Sequence, residues 1–228
     1  VEPELDRILE ARINLYYDVR PGTFSPAPLL IALHGYGASK QQMMREAKVL
    51  APDAFAIATL QGPHQHIVPP KRTGDPLRFG FGWLTNFRSE ESVAIHHQAL
   101  LDLIGAMTEE GIAHPAQIFL LGFSQSCALN YRFAFTHPER LRGVIGICGG
   151  IPGDWETSGL YRQADFDVFH LAGNADEFYP PETVEKYEDQ LKKRARSVVF
   201  KSYDARHEIV PRMREDVVQW LTHATDEH

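Results

Sequence analysis

The segment Ile118-Phe119-Leu120-Leu121-Gly122-Phe123-Ser124-Gln125-Ser126 places a serine between a run of apolar residues and a helical pattern. Ile118 to Leu121 predict a strand buried on both faces, the kind found inside a parallel sheet. Gly122 ends that run, and Cys127 to Phe135 predict a helix that is apolar on more than one side. A serine on so tight a strand-to-helix turn forms the arrangement termed a nucleophile elbow. The chain reverses sharply there and the helix packs close to the strand, so the flanking residues must be small. Gly122 and Ser126 are small, although Ser126 stands where such turns usually carry a second glycine. The helix N-terminus directs partial positive charge and free N–H groups at the hydroxyl, which suits a developing oxyanion. An ordinary turn would also accept these residues, so the rest of the chain has to decide.

Upstream, Arg12 to Val19 alternate well enough for an early, half-exposed strand, and Arg20-Pro21-Gly22 mark a turn. Pro28 to Leu33 predict the first fully buried strand, which runs into the glycine-rich loop His34-Gly35-Tyr36-Gly37. Ser39 suits the N-cap of a helix over 40–50, whose Met43, Met44, Ala47 and Leu50 share a face. Phe55 to Leu60 predict another buried strand. Residues 61–88 then read as a long irregular loop, and Phe79, Phe81, Trp83 and Phe87 argue that it packs down. Ser89 suits an N-cap, with Glu90 and Glu91 in the first turn of a helix through Met107 that Gly111 ends.

Downstream, strands are expected at 141–147, 167–172 and 197–203. A polar surface helix is expected at 181–194, and a final amphipathic helix using Ile209, Met213, Val217 and Trp220. Residues 151–164 read as a loop or short cap. Strand and helix alternate, and each helix is long enough to cross over a parallel sheet. The fold class is therefore α/β: a mostly parallel central sheet with helices on both faces, in one domain spanning 1–228.

A chain of 228 residues fits one large α/β domain, and 43% hydrophobic residues suffice for its core. A formal net charge of −7 disfavours a nucleic-acid partner. No apolar run approaches bilayer length, so no membrane span is expected. The acidic start Val1-Glu2-Pro3-Glu4 lacks a secretory pattern, and a cytoplasmic location is the default expectation. Two cysteines, Cys127 and Cys148, read as core thiols rather than a disulfide framework.

Sites in parallel α/β sheets lie at the carboxyl ends of strands. Four groups fall there: the loop His34 to Gly37, Ser124, Asp176 and His207. A serine hydroxyl needs a base within hydrogen-bond reach, and that base needs a third group to fix its tautomer. His207 is the one histidine of eleven that follows a strand after an acid in the order Ser, Asp, His. Asp176 is the acid, with Asp167 and Asp204 as nearby competitors. The backbone N–H groups of Tyr36 and Gln125 would form the oxyanion hole, Gly35 and Gly37 letting that loop approach a substrate. Phe79, Phe81 and Trp83 either line an acyl pocket or simply pack the loop. His64 and His66 lack a third ligand of suitable spacing, so no metal is expected. Arg72, Arg78 and Arg88 read as solvated or carboxylate-paired residues.

Taken together, Leu33-His34-Gly35-Tyr36-Gly37, Gly122-Phe123-Ser124-Gln125-Ser126, Gly173 through Asp176 to Pro180, and His207 resemble the phospholipase/carboxylesterase family of α/β-hydrolases, which includes the acyl-protein thioesterases. The resemblance spans most of the chain. It implies the α/β-hydrolase fold, an enzyme without cofactor, and cleavage of carboxylic esters or thioesters through an acyl-serine. It also implies Ser124, Asp176 and His207 as the triad, and Tyr36 and Gln125 as oxyanion donors. Trp83 falls where the family often has a tryptophan near the acyl site. Ser126 and Cys127 depart from the family's glycines, and Leu84-Thr85-Asn86 from its usual acidic continuation.

The expected function is a serine hydrolase acting on small, uncharged acyl esters, with thioesters as the related substrate. The alternatives are a non-catalytic binding module on the same fold, or an acyltransferase or peptidase using the same triad. The 61–88 loop would serve as a lid or as the contact of a homodimer.

Overall fold

The computed structural model describes residues 7–70 and 72–226; Val1 to Glu4, considered above, lie outside the described residues. In chain order the elements are β1 (Tyr17–Arg20), β2 (Ala27–Leu33), α1 (Lys40–Leu50), β3 (Ala56–Leu60), β4 (His64–Val68), β5 (Arg78–Gly82), α2 (Ser89–Glu109) and β6 (Ala113–Phe123). They continue with α3 (Gln125–Thr136), β7 (Gly143–Ile147), β8 (Asp167–Gly173), α4 (Pro181–Val184), α5 (Tyr187–Lys192), β9 (Ser197–Tyr203) and α6 (Pro211–Asp226).

Seven strands form one sheet in the order β1-β3-β2-β6-β7-β8-β9. Only the edge strand β1 runs antiparallel; every other neighbouring pair is parallel. The alternation of side chains along β2 explains why helices are needed on both faces. Leu29, Ile31 and Leu33 join a core shared with α2, α3 and α5. Leu30 and Ala32 point the other way, into a core built with α1 and α6. The mostly parallel α/β sheet expected from the strand–helix alternation is the one observed, as is the α/β-hydrolase fold that the resemblance implies. It brings the carboxyl ends of β2, β6 and β8 to one edge of the sheet.

Several local expectations need correction. Residues 61–88 are not irregular throughout: β4 and β5 pair antiparallel as a separate two-stranded sheet, from His64 opposite Gly82 to Val68 opposite Arg78. The strand signal is weak because β4 is only partly buried and carries two histidines and a glutamine. Ser89 is the first helical residue rather than the cap of α2; Arg88 holds that position in the left-handed region at φ 50°. The elbow strand begins earlier than its apolar run, at Ala113, because Ala113 pairs with Ala27 before a register shift at Ala27/Leu29. The helix expected over 181–194 is two short ones, and Val184, Tyr187 and Leu191 are buried, so it is no purely polar surface element. By contrast α1, with Ser39 capping the Gln42 amide, and β9 match the sequence reading closely.

Candidate active site

The elbow is built as its residues dictate. Ser124 sits at φ 58° and ψ −119°, a conformation that non-glycine residues rarely adopt. Its amide donates to the Ile147 carbonyl at 3.0 Å, and its carbonyl accepts from the Cys127 amide at 3.0 Å. Gly122 is needed for helix–strand approach: a β-carbon there would lie 2.8 Å from Asn130 Nδ2 and 3.0 Å from the Cys127 amide. Ser126, the departure from glycine, does not crowd the turn. Its fully buried hydroxyl donates to the Leu33 carbonyl (2.9 Å) or the Phe123 carbonyl (3.0 Å) and accepts from the Phe123 amide (3.0 Å). It thus ties the elbow to the end of β2.

His207 stands between the other two candidates. Its Nδ1 is 2.8 Å from Asp176 Oδ2 and its Nε2 is 2.9 Å from Ser124 Oγ. The tautomer that serves all three groups carries its proton on Nδ1, donates it to the carboxylate, and accepts the serine hydroxyl at Nε2. Asp176 is 3% exposed, and its second oxygen accepts the amides of Phe178 (2.8 Å) and Tyr179 (3.0 Å). Both oxygens of the buried carboxylate are therefore engaged, which holds its rotamer. The rings of Phe123, Phe178 and Tyr179 enclose the imidazole at centroid distances of 5.0, 4.8 and 5.8 Å. The competing acids are elsewhere: Asp167 is bound by Arg196, Arg142 and Ser197, and Asp204 is exposed.

The loop 34–37 lies against the elbow. A β-carbon on Gly35 would come within 3.0 Å of the Phe123 ring and 3.1 Å of Ser124 Cβ, so glycine permits this approach. Gln125 opens α3, where an amide has no intrahelical acceptor. The Tyr36 amide lies on the loop itself, between two glycines.

His34 anchors that loop. The Gly62 amide donates to its Nε2 at 3.0 Å, so Nδ1 bears the proton and donates to the Gly35 carbonyl at 2.8 Å. Burial pushes this ring down to about 4, leaving it neutral. Trp83 is 1% exposed and its Nε1–H donates to the His34 carbonyl at 2.8 Å, while its amide donates to Gln125 Oε1 at 2.8 Å. Trp83 thus ties the 34–37 loop, through His34, to the side chain of Gln125 at the start of α3. Trp83 acts from beneath the loop, whereas Phe79 is 59% exposed and Phe81 half-buried on the hairpin. These structural roles of His34, Trp83 and the Gln125 side chain were not evident in sequence, since they depend on which buried carbonyl each meets.

A cleft of about 400 Å³ opens beside Gly35 and Phe123, lined also by Gln42, Met43, Ile209 and Arg214. A second, of similar volume, lies away from the triad between Leu15 and Leu103. His64 bonds the Ser92 hydroxyl at 3.0 Å and His66 stacks on Tyr36 with centroids 4.2 Å apart. Among the described residues no three histidines, cysteines or acids are grouped to hold a metal ion. Cys127 and Cys148 are buried and unpaired, and burial pushes Cys148 up to about 12. No helix of the described residues is long and apolar enough to cross a membrane.

Comparison with known proteins agrees with this architecture. Esterase PE8 superposes with a TM-score of 0.73 at 20% identity, over 93% of this chain and 100% of that one. The Bacillus cereus carboxylesterase gives 0.73 at 17% identity, over 92% and 94%. Acyl-protein thioesterase 2 from Zea mays gives 0.66 at 17%, over 92% and 98%. In sequence the chain is similar to epoxide hydrolase B of Mycobacterium tuberculosis, 24% identical over 181 residues; that match covers 75% of this chain but only 44% of the relative's length. The phospholipase/carboxylesterase family model matches residues 16–225, and the chain belongs to that family.

Proposed function

We propose that the protein is a serine hydrolase that cleaves small, uncharged carboxylic esters through an acyl-Ser124 intermediate, the chain working as one catalytic domain. The observation that carries this reading is the imidazole of His207 held between Asp176 at 2.8 Å and Ser124 at 2.9 Å. In this mechanism His207 Nε2 takes the Ser124 proton as Oγ attacks the ester carbonyl. Asp176 orients the ring and stabilises its charged form. The amides of Tyr36 and Gln125 receive the oxyanion. Collapse breaks the bond to the alcohol, which leaves with the proton from Nε2. Water then repeats the sequence and frees the acid.

A serine nucleophile favours esters over the epoxides of the relative named above. Opening an epoxide with serine would leave an ether, which has no carbonyl for water to attack. The same acyl chemistry extends to thioesters, the activity named for the Zea mays relative. The cleft of about 400 Å³ beside the oxyanion loop supports a small substrate. Labelling with a fluorophosphonate probe tests the reading: Ser124 should be modified in the native chain and unmodified in Ser124→Ala. Absence of labelling in the native chain would favour a non-catalytic module. Para-nitrophenyl esters of rising chain length, beside thioester and amide substrates, would rank the chemistries.

A further inference from the structure

One glutamine side chain closes the neck of the loop that follows β2. His34 follows that strand and Lys40 opens α1; residues 35–39 between them carry the Tyr36 amide. Gln61 follows β3, is 8% exposed and reaches both ends of this loop. Its Oε1 accepts the Lys40 amide at 3.2 Å, and its Nε2 lies 3.1 Å from His34 Nε2. These partners fix the orientation of the side-chain amide. His34 Nε2 also accepts the Gly62 amide at 3.0 Å, so it offers a lone pair and suits a donor. Turning the Gln61 amide over would set N–H against the Lys40 N–H, and oxygen against that lone pair. The Lys40 amide is the first of α1, where no acceptor exists within the helix. Gln61 is itself held from behind, its backbone amide donating to the Tyr16 carbonyl at 2.8 Å. Lys40 is held a second time, its Nζ pairing with Asp18 of β1.

We propose that Gln61 is a positioning residue for the oxyanion hole: by bonding both ends of the 34–40 loop, it fixes where the Tyr36 amide stands relative to Ser124. This rests on the acyl-serine reading given above. The middle of the loop has separate ties to β5. The Gly37 amide donates to the Phe81 carbonyl at 2.9 Å, and the Phe81 amide donates to the Ala38 carbonyl at 3.1 Å. The hairpin therefore holds the loop at 37–38, and Gln61 holds it at the neck. An oxyanion donor works only when aimed at the place the charged oxygen will take, and a misplacement of about 1 Å costs roughly 100-fold in rate. Without the Gln61 amide, His34 Nε2 loses one of its two donors and the Lys40 amide loses its acceptor. The two ends of the loop are then no longer joined through one rigid group. Gln61 touches no reacting atom and moves no proton.

The test is Gln61→Leu, close in size but able to make neither bond. Beside it stands Gln61→Glu, whose carboxylate still accepts the Lys40 amide but cannot donate to His34. Turnover of para-nitrophenyl acetate is measured per active site, the sites being counted by fluorophosphonate labelling carried to completion. In Gln61→Leu we expect kcat per site to fall roughly 10- to 100-fold, with KM within about 3-fold of native. Gln61→Glu should lose less. A trifluoromethyl ketone adds to Ser124 and places an oxyanion in the hole, so its affinity should fall by the same factor as kcat/KM. A merely structural role would lower the urea midpoint and the number of labelled sites, yet leave turnover per site and ketone affinity at native values; that result would overturn the proposal. So would a loss of turnover with native ketone affinity. If Gln61→Leu gives no folded protein, Gln61→Glu carries the same comparison. Labelling of the native chain separates the two levels. If native Ser124 is not labelled, the hydrolase reading falls and this inference with it; if it is labelled, the Gln61 variants decide this inference alone.

Discussion

The indole N–H of Trp83 donates to the carbonyl of His34 across 2.8 Å, both groups buried. This joins the β4–β5 hairpin to the loop that carries the Tyr36 amide. In Trp83→Phe the His34 carbonyl loses its donor in a site without solvent. An unsatisfied buried acceptor costs about 1–3 kcal/mol, and the smaller ring adds a cavity term. Urea unfolding should therefore show a clear loss of stability, and ester turnover should fall in kcat more than in KM. Native stability in this variant would show that the hairpin does not hold the loop.

Ser126→Ala removes the hydroxyl that bridges Leu33 and Phe123. The serine is fully buried, so no solvent replaces the lost hydroxyl. We expect a loss of roughly 1–3 kcal/mol by denaturant titration, with fluorophosphonate labelling of Ser124 retained. A gain in stability would mean that the turn prefers the smaller residue after all.

Asp176→Asn keeps the shape of the carboxylate but favours the wrong imidazole tautomer. Turnover should drop by about 10³–10⁴-fold, measured on a para-nitrophenyl ester at neutral pH. Asp204→Asn, at an exposed position beyond β9, should leave turnover within about 2-fold. The reverse pattern would reassign the acid.

Acid should destabilise the fold before its carboxylates titrate. Burial pushes His34, His97 and His170 down to about 4, and His96 to about 3. These rings stay neutral in the folded chain, while the unfolded chain binds their protons below about pH 6.5. The unfolded state then holds more protons, so stability is complete above that pH and falls as pH drops toward 4. Each ring contributes up to ~1.4 kcal/mol per pH unit across that window. Unfolding free energies measured between pH 7.5 and 4.5 should report uptake of at least two protons on unfolding. A flat profile down to pH 5 would mean that these histidines are not held neutral.

Much of this protein was legible before any coordinates. Short apolar runs such as Pro28 to Leu33 and Ile118 to Leu121, bounded by glycine and alternating with helical patterns, fit strands buried on both faces of a parallel sheet, so they announced the α/β class. Ser124, Asp176 and His207 each follow a strand directly or within a few residues, which is where a parallel sheet places its site, and their residue types suit an activated hydroxyl. The β4–β5 hairpin was missed because its partly exposed strands carry a weak alternation and are separated by a long polar stretch.

Chain order alone did not determine which polar atom meets which. That Ser126 spends its hydroxyl on Leu33, that Trp83 reaches His34, and that Tyr179 closes on both His207 and Gly150 are results of packing. Periodicity reports which face of an element is buried, because burial repeats with the backbone geometry. It carries no information about contacts between residues distant in the chain, such as the 2.9 Å between His207 and Ser124, because those distances are set by how the elements stack.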